Sequence, residues 1–168
     1  VRDLLLGYDN LDLDLVVEGD GIALAKELAQ QLGCKLRVHA QFGTAEVLFV
    51  SGVKVDVATA RVEYYEHPAA LPQVESSSLR QDLYRRDFTI NAMAVTLNSD
   101  RFGELVDYFG GRKDLQDGLV RVLYNLSFIE DPTRMLRAVR FEQRYHIHIE
   151  SQTLKLLREA VNQNVIAR

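Results

Sequence analysis

Leu11-Asp12-Leu13-Asp14-Leu15-Val16-Val17 decides how this chain reads. Along a strand, successive side chains alternate between faces, and residues two apart share one. The spacing predicts Asp12 and Asp14 on one face, with Leu11, Leu13, Leu15 and Val17 on the other. Two carboxylates side by side repel each other and resist desolvation, so the arrangement calls for a cation. Hard oxygen ligands suit Mg²⁺, which takes one or two carboxylates and keeps positions for substrate phosphates. The pair predicts a Mg²⁺-dependent enzyme working on a nucleoside triphosphate. An isolated Asp-x-Asp also fits a solvated strand face, and the rest of the chain has to decide between them.

Outward from that strand, the pattern mixes helices and strands. Val1–Leu6 reads as a short helix ended by Gly7, and Asp20-Gly21 leads into a helix over Ile22–Leu32 ended by Gly33. Strands follow at Lys35–His39, Ala45–Val50 and Val53–Ala58, the last two joined at Ser51-Gly52. Two prolines and a serine run mark Arg61–Ser78 as a loop. Leu79–Met93 reads as helix, then strands at Ala94–Asn98, Leu105–Tyr108 and Leu119–Leu123, with a short helix from Gly110-Gly111 to Gly118. Helices over Thr133–Tyr145 and Ser151–Asn162 close the chain. The order predicts an α+β head over residues 1–124 and the start of a helical neck over 125–168.

Bulk properties narrow the classes. The 168 residues are 47% hydrophobic and 26% charged, ordinary for a globular protein. One cysteine, Cys34, leaves no internal disulfide and no cysteine-based zinc site, which suits a reducing cytoplasm. No apolar run approaches the roughly 20 residues that cross a bilayer, so no membrane partner is expected. A net charge of −4 excludes a uniformly basic coat for nucleic acid, yet four arginines and one acid fall between Thr133 and Arg144. The chain opens at Val1 and enters a helical pattern at once, so it reads as a piece of something longer.

Three further groups carry chemistry. Asp56, in Val53-Lys54-Val55-Asp56-Val57-Ala58, becomes a third acid facing the same metal if its strand adjoins the first; a strand-edge acid is the bland reading. In Arg85-Arg86-Asp87-Phe88-Thr89-Ile90-Asn91, the helical spacing brings Arg86, Asp87 and Asn91 within one turn. Asp87 can accept from a ribose hydroxyl, Arg86 can fork onto phosphate, and Asn91 can read a polar group or hold that network. A helix cap with a surface ion pair explains the same letters. In Glu130-Asp131-Pro132-Thr133-Arg134, Asp131 and Pro132 suit a helix start. Beyond it Arg134, Arg137, Arg140 and Arg144 are predicted on one face, and Met135, Leu136, Ala138 and Val139 on the other. Arginine without lysine favours bidentate partners such as phosphates or base edges over a merely solvated face.

Together these blocks resemble the class II tRNA nucleotidyltransferase and bacterial poly(A) polymerase family, within the DNA polymerase beta superfamily. Val1-Arg2-Asp3-Leu4-Leu5-Leu6-Gly7 with Asp12-x-Asp14 is similar to its first motif, Arg85–Ala94 to its ribose motif, and Glu130-Asp131-x-x-Arg134 to its base-selecting motif. The family places a Gly-Gly pair just before the Val-Arg-Asp, ahead of Val1. The resemblance implies a DNA polymerase beta-like head with a mixed sheet, followed by an all-helical neck. It implies Mg²⁺ on Asp12, Asp14 and Asp56, and phosphate contacts from Arg2 and Arg86. It also implies ribose selection by Asp87 near Asn91, and an amino-acid template of Asp131 and Arg134 backed by Arg137 and Arg140. The mobile element of the family would correspond to Arg61–Ser78.

The expected activity is transfer of a nucleotide from ATP or CTP to the 3′ end of tRNA, as CCA or A addition. A poly(A) polymerase acting on other RNA 3′ ends and a CC-adding enzyme share the same motifs. The Tyr64–Pro72 run and the sequence around Leu105–Gly111 look most like members carrying further N-terminal domains. A catalytically inert RNA- or nucleotide-binding module and a plain α+β interaction domain are the readings from other classes. The enzyme reading requires the acids, the Arg-Asp turn and the arginine-faced helix to converge on one triphosphate.

Overall fold

In chain order, the first elements are α1 (Arg2–Leu5), β1 (Leu13–Val17), α2 (Gly21–Leu32), β2 (Lys35–His39), β3 (Thr44–Leu48), β4 (Lys54–Thr59), β5 (Arg61–Tyr64) and β6 (Gln73–Ser76). After them come α3 (Leu79–Tyr84), β7 (Ala94–Val95), β8 (Leu105–Val106), α4 (Gly111–Gln116), β9 (Leu119–Val120), α5 (Ser127–Glu130), α6 (Thr133–Tyr145), β10 (His148–Ile149) and α7 (Ser151–Asn162). The computed structural model describes residues 1–9, 12–64 and 73–165. These fall into two compact units: a sheet unit of Tyr8–Tyr64 with Gln73–Asp82, and a mainly helical unit of Val1–Gly7 with the residues from Leu83 on.

The sheet unit is built on four strands in the order β1-β4-β3-β2. β1 runs parallel to β4, and the other two pairings are antiparallel. Strict alternation sorts the central strands: Ala45, Val47, Val55 and Val57 are buried, while Glu46 and Asp56 between them lie half-buried on the other face. The buried side packs with Ala25 and Ala29 of α2, and Leu15 and Val17 join it. Leu13, expected on that apolar side, is 46% exposed at the start of an edge strand, and Leu11 lies outside the described residues. α2 starts where Asp20 accepts from the Ala23 N–H at 2.9 Å and ends at Gly33, whose φ of 63° suits glycine. Gly21 lets the helix sit on the sheet, because a Cβ there would lie 2.8 Å from the Thr59 nitrogen.

The expected loop at Arg61–Ser78 is instead an antiparallel hairpin, with Arg61 opposite Ser76 and Tyr64 opposite Gln73. Arg61-Val62-Glu63-Tyr64 alternates polar and apolar letters, and the paired residues of both strands contain no proline. The 65–72 stretch, with most of the Tyr64–Pro72 run, lies outside the described residues.

In the mainly helical unit one core contains Phe88, Ile90, Val120, Phe128, Met135, Ala138, Phe141 and Ala160. Phe88 and Phe141 meet edge-on at 5.7 Å. α4 lies against the turn at Thr89–Asn91, and a Cβ on Gly111 would sit 2.2 Å from the Thr89 carbonyl oxygen. Asp107 caps α4 through the Gly111 and Arg112 N–H groups at 2.8 and 2.9 Å. β10 pairs in parallel with β9, and Glu150 then caps α7. Packing thus joins residues on both sides of position 124 into one core. No helix among the described residues is long and apolar enough to cross a membrane.

Candidate active site

Strand register assembles the acids. Asp14 lies opposite Asp56, Glu46 opposite Asp56, and Arg37 opposite Glu46, so one charged row crosses all four strands. Asp12, just before β1, joins Asp14 and Asp56 so that one carboxylate oxygen from each lies within 4.8 Å of the others. Asp12 and Asp14 are exposed and Asp56 is half-buried, which leaves the cluster open to solvent. Lys54 Nζ sits 2.6 Å from Asp56 Oδ2, and that hydrogen bond is the main reason its pKa is raised above the ordinary lysine value. Arg37 Nη1 meets Glu46 Oε2 at 3.0 Å. Three convergent carboxylate oxygens form a hard donor set that fits a divalent metal ion.

The Arg85–Met93 segment departs from the predicted helix. α3 stops at Tyr84, Phe88 is extended and bridges to Val122, and a single 3₁₀ turn covers Thr89–Asn91. Phe88 breaks the helix because its ring is drawn fully into the core. The predicted neighbours still meet. Asp87 Oδ1 accepts from the Phe88 N–H at 2.8 Å and from Asn91 Nδ2 at 2.9 Å, while Oδ2 accepts from Arg137 Nε at 2.8 Å. Asn91 Oδ1 in turn accepts from Arg2 Nη1. Arg2 also donates through Nε to Asp3 at 2.8 Å, and its guanidinium lies 5.0 and 4.6 Å from the ring centres of Phe141 and Tyr145. Arg2, Asp87, Asn91 and Arg137 are therefore one connected network, with half-buried Arg86 beside it in sequence.

The third block joins the second. Arg134 is buried: Nη1 donates to the Tyr124 hydroxyl at 2.9 Å and Ser127 Oγ at 2.8 Å, and Nη2 to the Arg85 carbonyl at 2.9 Å. Its Nε lies 3.5 Å from Asp131 Oδ2. Asp131 Oδ1 accepts from the Thr133 N–H at 3.0 Å, closing the first turn of α6 as the Asp-Pro spacing predicts. The faces of α6 differ from expectation. Met135, Ala138 and Phe141 are buried beside Arg134, whereas Leu136 is 68% and Val139 46% exposed. Arg140 is exposed on the same helix. Three hydrogen-bond acceptors hold Arg134 inward, which turns Leu136 and Val139 outward.

Tyr124 and Ser127 are functional candidates that the sequence did not disclose. Tyr124 donates to Glu130 Oε2 at 2.5 Å, and burial first, then that hydrogen bond, pushes its hydroxyl up to about 12. No motif letter flags either residue, and their partners lie on other elements.

Comparison with known proteins adds the context. Residues 1–121 match the family model described as the poly A polymerase head domain. The chain is 59% identical over 161 residues to an A-adding tRNA nucleotidyltransferase of Geobacter sulfurreducens, covering 96% of this chain and 18% of that protein. A solved CCA-adding enzyme in an apo form superimposes with a TM-score of 0.94 at 51% identity, over 99% of this chain and 39% of that one. A tRNA nucleotidyltransferase solved with a primer tRNA and an incoming ATP analogue gives 0.87 at 47% identity, over 98% and 45%. The chain thus spans a minor part of each relative's length.

Proposed function

The chain belongs to the poly(A) polymerase head-domain family, among the class II tRNA nucleotidyltransferases, and from that premise we propose that the protein transfers nucleoside monophosphates from ATP or CTP to the 3′ end of tRNA, as CCA or A addition. Its α+β head is of the DNA polymerase beta-like type, as the superposition on CCA-adding enzymes establishes. The observation that carries the reading is the cluster of Asp12, Asp14 and Asp56, with oxygens within 4.8 Å of one another, in a chain of this family.

Asp12, Asp14 and Asp56 would hold Mg²⁺. When bound, that ion eases loss of the primer's 3′-hydroxyl proton and neutralises charge on the leaving pyrophosphate. Arg86, Arg140 and the remaining donors of Arg2 serve the phosphates. Asp87 has both oxygens engaged by Phe88, Asn91 and Arg137, so it accepts a ribose hydroxyl by exchanging one Arg137 bond for it. Asp131 and Arg134 place an acceptor beside a donor. Adenine and cytosine offer the complementary order, an amino group next to a ring nitrogen; guanine and uracil offer a carbonyl next to an N–H. A mismatched base leaves a polar group unmet, at a cost of roughly 1–3 kcal/mol, or about 5- to 150-fold in selection.

In domain terms residues 1–124 would be the head and 125–168 the beginning of the neck, a division supported by the family match ending at residue 121. A tRNA substrate implies the cytoplasm as the place of work.

Primer assays with the intact protein test the proposal: tRNA lacking CCA, tRNA ending in CC, and unrelated RNA, each with single nucleotides and Mg²⁺. Extension of the CC-ended tRNA by one AMP supports A or CCA addition, and its failure to extend counts against both. CMP added only to the shorter tRNA marks a CC-adding enzyme, and AMP runs on unrelated RNA mark a poly(A) polymerase. No incorporation together with no metal-dependent nucleotide binding leaves an inert module.

A further inference from the structure

A guanidinium carries five N–H groups, and most of those on Arg134 are already committed. Both Nη1 hydrogens go to Tyr124 and Ser127, one Nη2 hydrogen goes to the Arg85 carbonyl, and Nε faces Asp131. Among the described residues, one Nη2 hydrogen and the Nε hydrogen, which lies 3.5 Å from Asp131 without a hydrogen bond to it, are left over. Tyr124 can accept from Arg134 only while its own proton points elsewhere, and Glu130 Oε2 takes that proton. The Tyr124 ring is itself held by Tyr84, with centroids 5.4 Å apart.

We propose that Tyr124 is a specificity-positioning residue: by linking Glu130 to Arg134 it pins Nη1 and so fixes which N–H edge of Arg134 is presented to the incoming base. The inference rests on Asp131 and Arg134 reading that base. A guanidinium pinned at Nη1 cannot swing about its Nε to offer a different edge. Without the hydroxyl, an Nη1 hydrogen becomes spare and the plane can turn, so a base that presents a carbonyl finds a partner. Tyr124 touches no reacting atom in this account and acts only through Arg134.

The test is steady-state incorporation by the intact protein of ATP, CTP, GTP and UTP, using Tyr124→Phe and Ser127→Ala. Tyr124→Phe keeps the ring and its packing on Tyr84. The ratio of kcat/KM for ATP to that for GTP or UTP is expected to fall about 5- to 10-fold, the effect of one lost hydrogen bond. Ser127→Ala, which frees the other Nη1 hydrogen, should move the ratio the same way and decides the matter if Tyr124→Phe fails to fold. A merely structural role lowers kcat for every nucleotide alike and leaves the ratio unchanged; that result overturns the proposal. Arg134→Lys separates the premise from the inference. If it abolishes discrimination while Tyr124→Phe and Ser127→Ala preserve it, only the role of Tyr124 falls. If Arg134→Lys discriminates as before, base reading by Arg134 falls, and the proposal with it.

Discussion

Arg137 grips Asp87 from fifty positions away, with Nε at 2.8 Å and Nη2 at 2.6 Å from the same carboxylate oxygen. Asp87 is buried and Arg137 is half exposed, so the aspartate depends on this partner more than the arginine does. Arg137→Ala is expected to lower stability by roughly 1–3 kcal/mol, because it leaves a buried carboxylate short of donors. A double-mutant cycle with Asp87→Asn in urea should show coupling of about 1 kcal/mol or more. Additive losses would show that the pair is not one unit. In nucleotide incorporation, Asp87→Ala should erode the preference for ribo- over deoxyribonucleotides.

The acid row sets activity against stability. Asp14→Asn or Asp56→Asn should reduce nucleotide incorporation by on the order of 10³-fold, since each removes charge from the carboxylate cluster proposed to hold the metal. Asp14→Asn should leave metal-free stability unchanged or raise it by about 0.5 kcal/mol, because Asp14 and Asp56 are like charges directly opposite on neighbouring strands, whereas Asp56→Asn also gives up the ion pair to Lys54. Chelation of divalent ions should stop incorporation, and added Mg²⁺ restore it. Urea midpoints and initial rates on the same preparations check both halves.

Two glycines should resist substitution for different partners. Gly111→Ala drives a methyl group into the Thr89 carbonyl, and Gly21→Ala into the backbone at Ala58 and Thr59. Each should lose at least about 3 kcal/mol or fail to fold, since neither neighbour is a flexible side chain. Gly52→Ala meets no atom and suffers only from its φ of 86°, so about 1 kcal/mol is expected. Equal losses at Gly52 and Gly111 in urea denaturation would contradict the close approach at Gly111.

Glu150 makes stability depend on acid. Burial alone would raise its carboxyl, but the Gln152 and Thr153 N–H groups with the Ser151 and Thr153 hydroxyls outweigh it and lower it to about 2. A carboxylate lowered in the folded state contributes stability above its unfolded value, 4.5, and loses it as pH falls toward 2. Discounted for solvent screening, the contribution is on the order of 1–2 kcal/mol at neutral pH. Glu150→Gln should therefore flatten the fall in urea stability between pH 6 and about pH 2.5. An unchanged slope would assign the acid sensitivity to other groups.

How far the letters alone reached can be seen element by element. Thr133–Tyr145 and Ser151–Asn162 occupy their expected bounds, and Asp56 joins the Asp12-Asp14 pair as anticipated, because period and parity are local properties. The orientation of α6 was not legible. Periodicity placed Leu136 and Val139 inward, yet partners on α5 and in the turns after Tyr84 and β9 hold Arg134 there instead. The Arg85–Met93 stretch reads as helix by composition, and only the demand of the core for Phe88 breaks it. The Asp87–Asn91 contact survived this error because a tight turn and a helix both bring such residues within reach.

The row of Arg37, Glu46, Asp56 and Asp14 has opposite parity to the valines that pack on α2. Slipping β4 by one position would send Asp56 inward and Val57 into water, dismantling the carboxylate cluster and the packing in a single step. Cation capture by this sheet would therefore double as quality control: a molecule able to seize an ion there would need its strands properly aligned.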